Sequence, residues 1–224
     1  PAANSSIVAT SSVDVASALA GVAEAPAFFE YVIAERNRSP FPFRPEWEKE
    51  FRAHCFSVAD IAAKIASQTP YLNSERAYLS GLLHDCGRIK DEKSENVFHG
   101  WTGYQLMKKQ GWDEIGRISV THCFLNKDFN PELYPQARQD ILHCKNYISD
   151  IEYDDYDKLL QLADMMNDRG KNCSLQYRCR SLAERYPVQE EFLTTHFSCA
   201  ENLRLYFEVK CDCDIYQLLN IRNE

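Results

Sequence analysis

The chain has 224 residues, 45% of them hydrophobic and 26% charged, with a formal net charge of −8 and a pI near 5.3. That length suits one large domain, or one domain with a small appendage, and it can bury a core without disulfides or a structural metal. The acidic balance excludes broad, salt-sensitive binding to extended nucleic acid, and leaves room for a small phosphorylated ligand held by a few local cations.

The first 25 residues are rich in Ala, Ser and Val, carry no Lys or Arg, and are interrupted by Asp14, so they do not fit a secretory signal. Residues 1–45 read as an N-terminal arm and linker, closing on Ser39-Pro40-Phe41-Pro42-Phe43-Arg44-Pro45, an extended stretch that proline keeps out of helix. From about Glu46 to Ser67, Phe51, Cys55, Val58, Ala62 and Ile65 recur at helical spacing, and Thr69-Pro70 ends the run. A second helix runs from about Ser74 to Asp85 with Tyr78, Leu79, Leu82 and Leu83, and Gly87 is its expected stop. A charged loop, Lys90 to Asn96, follows. The third helix opens near His99 and ends at Gly111, and the fourth runs from Asp113 to about Leu125. After a loop containing Pro131 and Pro135, Ala137, Ile141, Cys144 and Ile148 mark a fifth; Leu159, Leu160, Ala163 and Met166 mark a sixth between Asp154 and Asn167. Past Gly170, shorter helical patterns run to the end, broken at Pro187. The expected fold is all-α, an irregular helical bundle with a core over residues 46–170 and a C-terminal helical extension over 171–224.

Nine cysteines are scattered without a CxxC pair, and the close pair Cys211 and Cys213 lacks partners at zinc-finger spacing. They read as free thiols of a reducing cytoplasm, and no apolar run is long enough to span a membrane.

Chemistry concentrates on the histidines. Four of the six, His54, His84, His99 and His122, lie on or at the ends of four successive predicted helices. A lone histidine on an apolar face is more often a hydrogen-bonded core residue than a ligand. Asp164 is harder to explain that way, because it falls inside an apolar stretch and an unpaired buried carboxylate costs several kcal/mol. In Leu82-Leu83-His84-Asp85-Cys86-Gly87, two ligand types sit at the end of a buried helix, where neighbouring side chains can converge on one ion. A bound cation accounts for all six groups together, and imidazole with carboxylate suits iron, manganese, zinc or nickel better than calcium.

On these residues the chain resembles the HD superfamily of metal-dependent phosphohydrolases. Its pattern of His, His-Asp and a distant Asp is matched by His54, His84–Asp85 and Asp164; His99 and His122 match the two further histidines of members with two metals. Phe98-His99-Gly100-Trp101-Thr102-Gly103 and Ile118-Ser119-Val120-Thr121-His122 look like the corresponding segments, and Tyr156-Asp157-Lys158-Leu159-Leu160-Gln161-Leu162-Ala163-Asp164 looks like the tail of uncharacterised bacterial HD proteins. The resemblance implies one or two divalent transition-metal ions (Fe, Mn, Ni or Zn). The first would be held by His54, His84, Asp85 and Asp164; the second would share Asp85 and add His99 and His122. It also implies metal-activated attack of water on a small phosphorylated, perhaps nucleotide, substrate. Asp85 and Arg88 are the expected catalytic residues. Arg88 stands where many relatives carry a phosphate-reaching lysine, and Lys90 is a second substrate-binding candidate; Lys93 and Lys127 are weaker ones.

The chain lacks the Gly-Tyr-Pro signature, which disfavours cyclic dinucleotide cleavage. The interval from His122 to Asp164 is longer than in compact relatives that cleave diadenosine tetraphosphate. Two other readings share the ligand set: an HD-type di-iron oxygenase, and a non-catalytic module that keeps its metal as a structural pin. His143 and His196 read as structural. The C-terminal region has two open roles, closing over the site or forming a homodimer contact.

Overall fold

The structure is a computed structural model that describes residues 12–125, 127, 135–185 and 190–222, with side chains from residue 24 onward apart from Phe192. Among the described residues it is all-α, as expected, apart from one two-stranded hairpin. Pro131 and Pro187 fall outside the described residues.

Helix α1 (Ser12–Arg38) occupies most of the stretch expected to be an arm. Ala25, Phe29, Val32 and Ile33 lie on one face at helical spacing and are buried with Phe51, Leu79, Leu82 and Leu83. Helix α2 (Pro45–Gln68) carries the expected apolar stripe, all of it buried. Pro45 belongs to the helix and not to the linker: at the first helical position its missing N–H is one that no intrahelical carbonyl would have used.

Helix α3 (Ser74–Leu83) starts on an Asn73 cap and lies along α2. A Cβ at Gly81 would stand 2.6 Å from the Ala59 Cα, so only glycine lets the two backbones approach this closely. The helix stops at Leu83, and a 3-10 turn, Cys86–Ile89, continues the chain. Gly87 therefore is not its stop. The reason for glycine there is the oncoming backbone of the next long helix, since a Cβ would sit 1.8 Å from the His99 carbonyl oxygen.

The charged stretch expected as a loop contains a one-turn helix, α4 (Glu92–Glu95), because the Asp91 side chain caps it and Asn96 adopts a left-handed φ of 54° to end it. Arg36 at the end of α1 reaches across to the Asp91 carboxylate. Helices α5 (His99–Lys109) and α6 (Asp113–Thr121) pack as a pair, with Gly111 at φ 75° in the connection. Helix α6 ends short of the expected Leu125. Helix α7 (Arg138–Ser149) buries Ile141, Cys144 and Ile148 against Phe98, Val120 and Phe124.

Helix α8 (Asp155–Met165) opens on a capping box between Asp154 and Asp157. Leu159, Leu160 and Leu162 are fully buried against α2, each contributing roughly 1.5–3 kcal/mol. Asp157, also fully buried, accepts from the Arg117 guanidinium, from the Thr121 hydroxyl at 2.7 Å and from the Asp154 amide at 2.8 Å, which ties α6 to α8. Asn167–Asp168 and Lys171–Asn172 then form a small antiparallel hairpin, β1 and β2, that the helical pattern did not predict. Helices α9 (Leu175–Arg185), α10 (Glu190–Cys211) and α11 (Ile215–Leu218) follow. At 22 residues, α10 is longer than the short helices expected here. Ala200, Phe207, Ile215 and Leu219 join the same cluster as Val58, Ile61 and Ile65. All nine cysteines are free. Among the described residues no helix is long and apolar enough to cross a membrane.

Candidate metal centre

Five helices deliver the six expected ligands to one place. His54 comes from α2, His84 and Asp85 from the end of α3, His99 from the first residue of α5, His122 from the end of α6, and Asp164 from the last turn of α8. Each imidazole has its Nδ1 beside an acceptor. His84 Nδ1 donates to the Gly81 carbonyl at 2.6 Å, and His122 Nδ1 to the Ile118 carbonyl at 3.0 Å. His54 Nδ1 faces Asn167 Oδ1 at 2.8 Å, and His99 Nδ1 faces Glu92 Oε1 at 2.7 Å. Whenever the single remaining proton is on Nδ1, the Nε2 lone pair of each ring is directed inward, the orientation that metal-ligating histidines take.

The inward atoms form two sets. In the first, His54 Nε2 lies 3.2 Å from His84 Nε2 and 3.1 Å from Asp164 Oδ1. In the second, Cys123 Sγ lies 3.2 Å from His99 Nε2 and 3.3 Å from His122 Nε2. Asp85 stands between the sets. Its Oδ2 is 3.9 Å from His54 Nε2 and 4.0 Å from His84 Nε2, while its Oδ1 is 3.3 Å from His99 Nε2 and 3.6 Å from His122 Nε2. Asp85 is only 4% exposed, yet Oδ1 makes no hydrogen bond. A buried polar atom without a partner costs about 1–3 kcal/mol, and a shared cation removes that cost. The donors thus fit a divalent transition ion in each set.

Charge supports the fit. Burial alone would raise the Asp85 carboxyl, but Arg88, His99 and His84 outweigh it and hold it well below the usual carboxylate range. Asp164 behaves likewise: burial opposes ionisation, and the hydrogen bond from His54 wins. Burial pushes His84 down to about 3, so it stands neutral and ready to donate its lone pair. His54 is raised, because Asp164 overrides the effect of burial on it. Burial pushes the Cys123 thiol well up.

Arg88 is half-buried and turned toward the centre. Its Nε donates to Asp85 Oδ2 at 2.7 Å and its Nη1 to Glu92 Oε2 at 3.1 Å, with 37% of the side chain exposed. Lys90 and Lys93 are exposed and belong to neither set, and Lys127 donates to the Ile151 carbonyl. His143 packs on Trp101, apart from the cluster, and His196 is on α10. Three side chains at the centre escaped the sequence reading: Glu92, Asn167 and Cys123. Cys123 had a signal in its position directly after His122; the other two become visible only once the turn at α4 and the hairpin at β1 are known.

Comparison with known proteins bears on the same residues. The HD domain family model matches residues 51–167, which takes in all six expected ligands, and the HDOD domain model matches residues 2–90. Ribonuclease Y of Fervidobacterium nodosum is 32% identical over 101 residues, 45% of this chain and 19% of that protein. Ribonuclease Y of Mesoplasma florum is 36% identical over 74 residues, 33% of this chain and 14% of that protein. The chain thus spans less than a fifth of these relatives' length. No solved structure matches. With over half its length matched, and with the residues of the His/His-Asp/Asp pattern gathered at one place, the chain belongs to the HD domain family of metal-dependent phosphohydrolases.

Proposed function

We propose that this chain hydrolyses a phosphate ester or anhydride of a small phosphorylated molecule, with nucleotides the first class to screen. Asp85 carries this reading: a buried carboxylate, ionised, with one oxygen toward each donor set and Oδ1 without a hydrogen bond. His54, His84, Asp85 and Asp164 would hold one ion; Asp85, His99 and His122 would hold a second, with iron, manganese, nickel or zinc as the suitable metals. Such ions, when bound, supply a water of lowered pKa and neutralise charge on a phosphoryl oxygen.

The chain's own residues do the positioning. Arg88 fixes Asp85 through Nε and keeps a positive charge beside it for a substrate phosphate. Glu92 accepts from the His99 ring and from its backbone amide at 3.0 Å, so the imidazole cannot turn away. Asn167 does the same for His54, its own orientation set by donation to Ser57 at 2.6 Å. Lys90, exposed beyond the turn, suits a distal part of the substrate. Both curated relatives are named as ribonucleases, which places phosphodiesters among the bonds to test. A net charge of −8 favours a small substrate over an extended nucleic acid. Nine free thiols favour a reducing cytoplasm as the setting.

Elemental analysis of protein purified without chelators, wild type against Asp85→Ala, is the direct test. About two transition-metal ions per wild-type chain, lost in the variant, support the reading. Anaerobic release of phosphate from a panel of esters and anhydrides then separates hydrolysis from oxygen-dependent chemistry. Protein that takes up none of the four metals refutes the proposal.

A further inference from the structure

The second donor set contains a side chain that the histidine–aspartate pattern does not include. Cys123 follows His122 directly at the end of α6, and its Sγ sits within 3.3 Å of the Nε2 atoms of both His99 and His122. Ligands of one tetrahedral zinc, with Zn–N of about 2.0–2.1 Å and Zn–S of about 2.3 Å, stand about 3.5 Å apart. Four pairs around this point fall close to that value: 3.2 and 3.3 Å from sulfur to the two imidazoles, and 3.3 and 3.6 Å from Asp85 Oδ1 to the same two atoms; the donor atoms of His99, His122 and Cys123 lie within 4.8 Å of one another. A Cβ at Gly100, the residue after His99, would meet Phe98 Cε1 at 2.7 Å and the Ser119 carbonyl oxygen at 3.0 Å as well as Cys123 Sγ at 3.1 Å, so the sulfur lies in a closely packed corner of the site. Independently, Asp85 Oδ1 is buried and without a hydrogen bond at the same point.

We propose that Cys123 is a thiolate ligand of the second ion, forming one compact donor group with His99 and His122, with Asp85 alongside, and that it selects a borderline-soft divalent cation, zinc or cobalt, over manganese or magnesium. This rests on the metal-centre reading above. On binding, the Cys123 S–H bond breaks, its proton passes to water, and the sulfur electron pair forms the metal–sulfur bond; no electron is transferred and no oxidant is needed. Thiolate is a soft donor, so its presence raises the preference of the set for zinc relative to manganese.

Cobalt(II) titrated anaerobically into the metal-free full chain separates the possibilities. Expected are visible ligand-field bands for two ions and, for one of them, a near-ultraviolet thiolate-to-cobalt charge-transfer band. Cys123→Ser should abolish that band while cobalt still binds, and should lower the zinc-over-manganese preference of the second ion by tenfold or more. Zinc X-ray absorption on the wild type needs no variant and should show a sulfur scatterer at about 2.3 Å. Two bound cobalt ions without a charge-transfer band, a band that survives in Cys123→Ser, or a zinc spectrum without sulfur would each overturn the thiolate and leave the metal centre standing. Failure to bind cobalt at all would overturn both.

Discussion

Replacing Gly87 with alanine places a methyl carbon 1.8 Å from the His99 carbonyl oxygen, 2.7 Å from its carbonyl carbon and 2.6 Å from the Gly103 amide nitrogen. Real Cβ atoms essentially never come within 3.0 Å of such neighbours, and all three are backbone, so no rotamer change relieves the clash. Either the 3-10 turn or the first turn of α5 must withdraw by about 1 Å or more. Asp85 lies on one side of that contact and His99 on the other, 3.3 Å apart at Oδ1 and Nε2. Metal–ligand distances tolerate only about ±0.2 Å, so a displacement of that size would separate Asp85 from the second donor set. Overpacking of this kind costs about 1–3 kcal/mol, or roughly 2–12 °C in Tm for a chain of this size. Gly111→Ala is the control. Its φ of 75° imposes about 1–2 kcal/mol of backbone strain, but its Cβ meets nothing within 4 Å, so it loses stability without touching the site. Calorimetric zinc titration with elemental analysis should find one tight ion in Gly87→Ala and two in Gly111→Ala. Two ions bound to Gly87→Ala with wild-type affinity would refute the account of why glycine is there.

Glu92→Gln removes the carboxylate that orients His99 and should weaken the second ion by about 10–100-fold while sparing the first, as read by competition with a chelator. Asp157→Ala leaves Arg117, Thr121 and the Asp154 amide without their shared acceptor; removing one partner of a buried pair costs about 3–5 kcal/mol, measurable by urea unfolding of metal-free protein. Because Asp164 raises His54 above its ordinary 6.5, against the opposing effect of burial, the first ion must expel a proton from it at any pH below that raised value. Affinity for the first ion should therefore still be rising with pH above 6.5, and level off only once the pH passes the raised His54 value. An affinity independent of pH, measured by calorimetry in buffers of different ionisation enthalpy, would contradict this.

Much of the bundle is legible from periodicity alone: the stripe through Phe51, Cys55, Val58, Ala62 and Ile65 is fully buried in α2. So is the convergence of the six ligands, because Asp164 in an apolar stretch and His84–Asp85 at a helix end need a common explanation. What holds those ligands is not legible. The acceptors on Nδ1 come from residues that only the folded chain brings near, such as Asn167 beside His54. The short helix α4 owes its existence to Asp91 and Asn96 within a run whose charge reads as loop. Gly87 sits where a helix stop is expected, and the contact that requires it lies twelve residues away at His99. Cys123 is masked by the usual fate of cysteine, a buried inert thiol.

The ion pair from Arg36 to Asp91 has a consequence for where this protein can be cut. Asp91 caps the turn that carries Glu92, and Glu92 orients His99, so a strut runs from the end of α1 to the second donor set. The HD family match begins at residue 51, but trimming to that boundary would strip the cover from Leu79, Leu82 and Leu83 and leave Asp91 without its cation. The smallest portable unit is therefore longer than its family signature and includes α1. A gene fusion or a crystallisation fragment should respect that join.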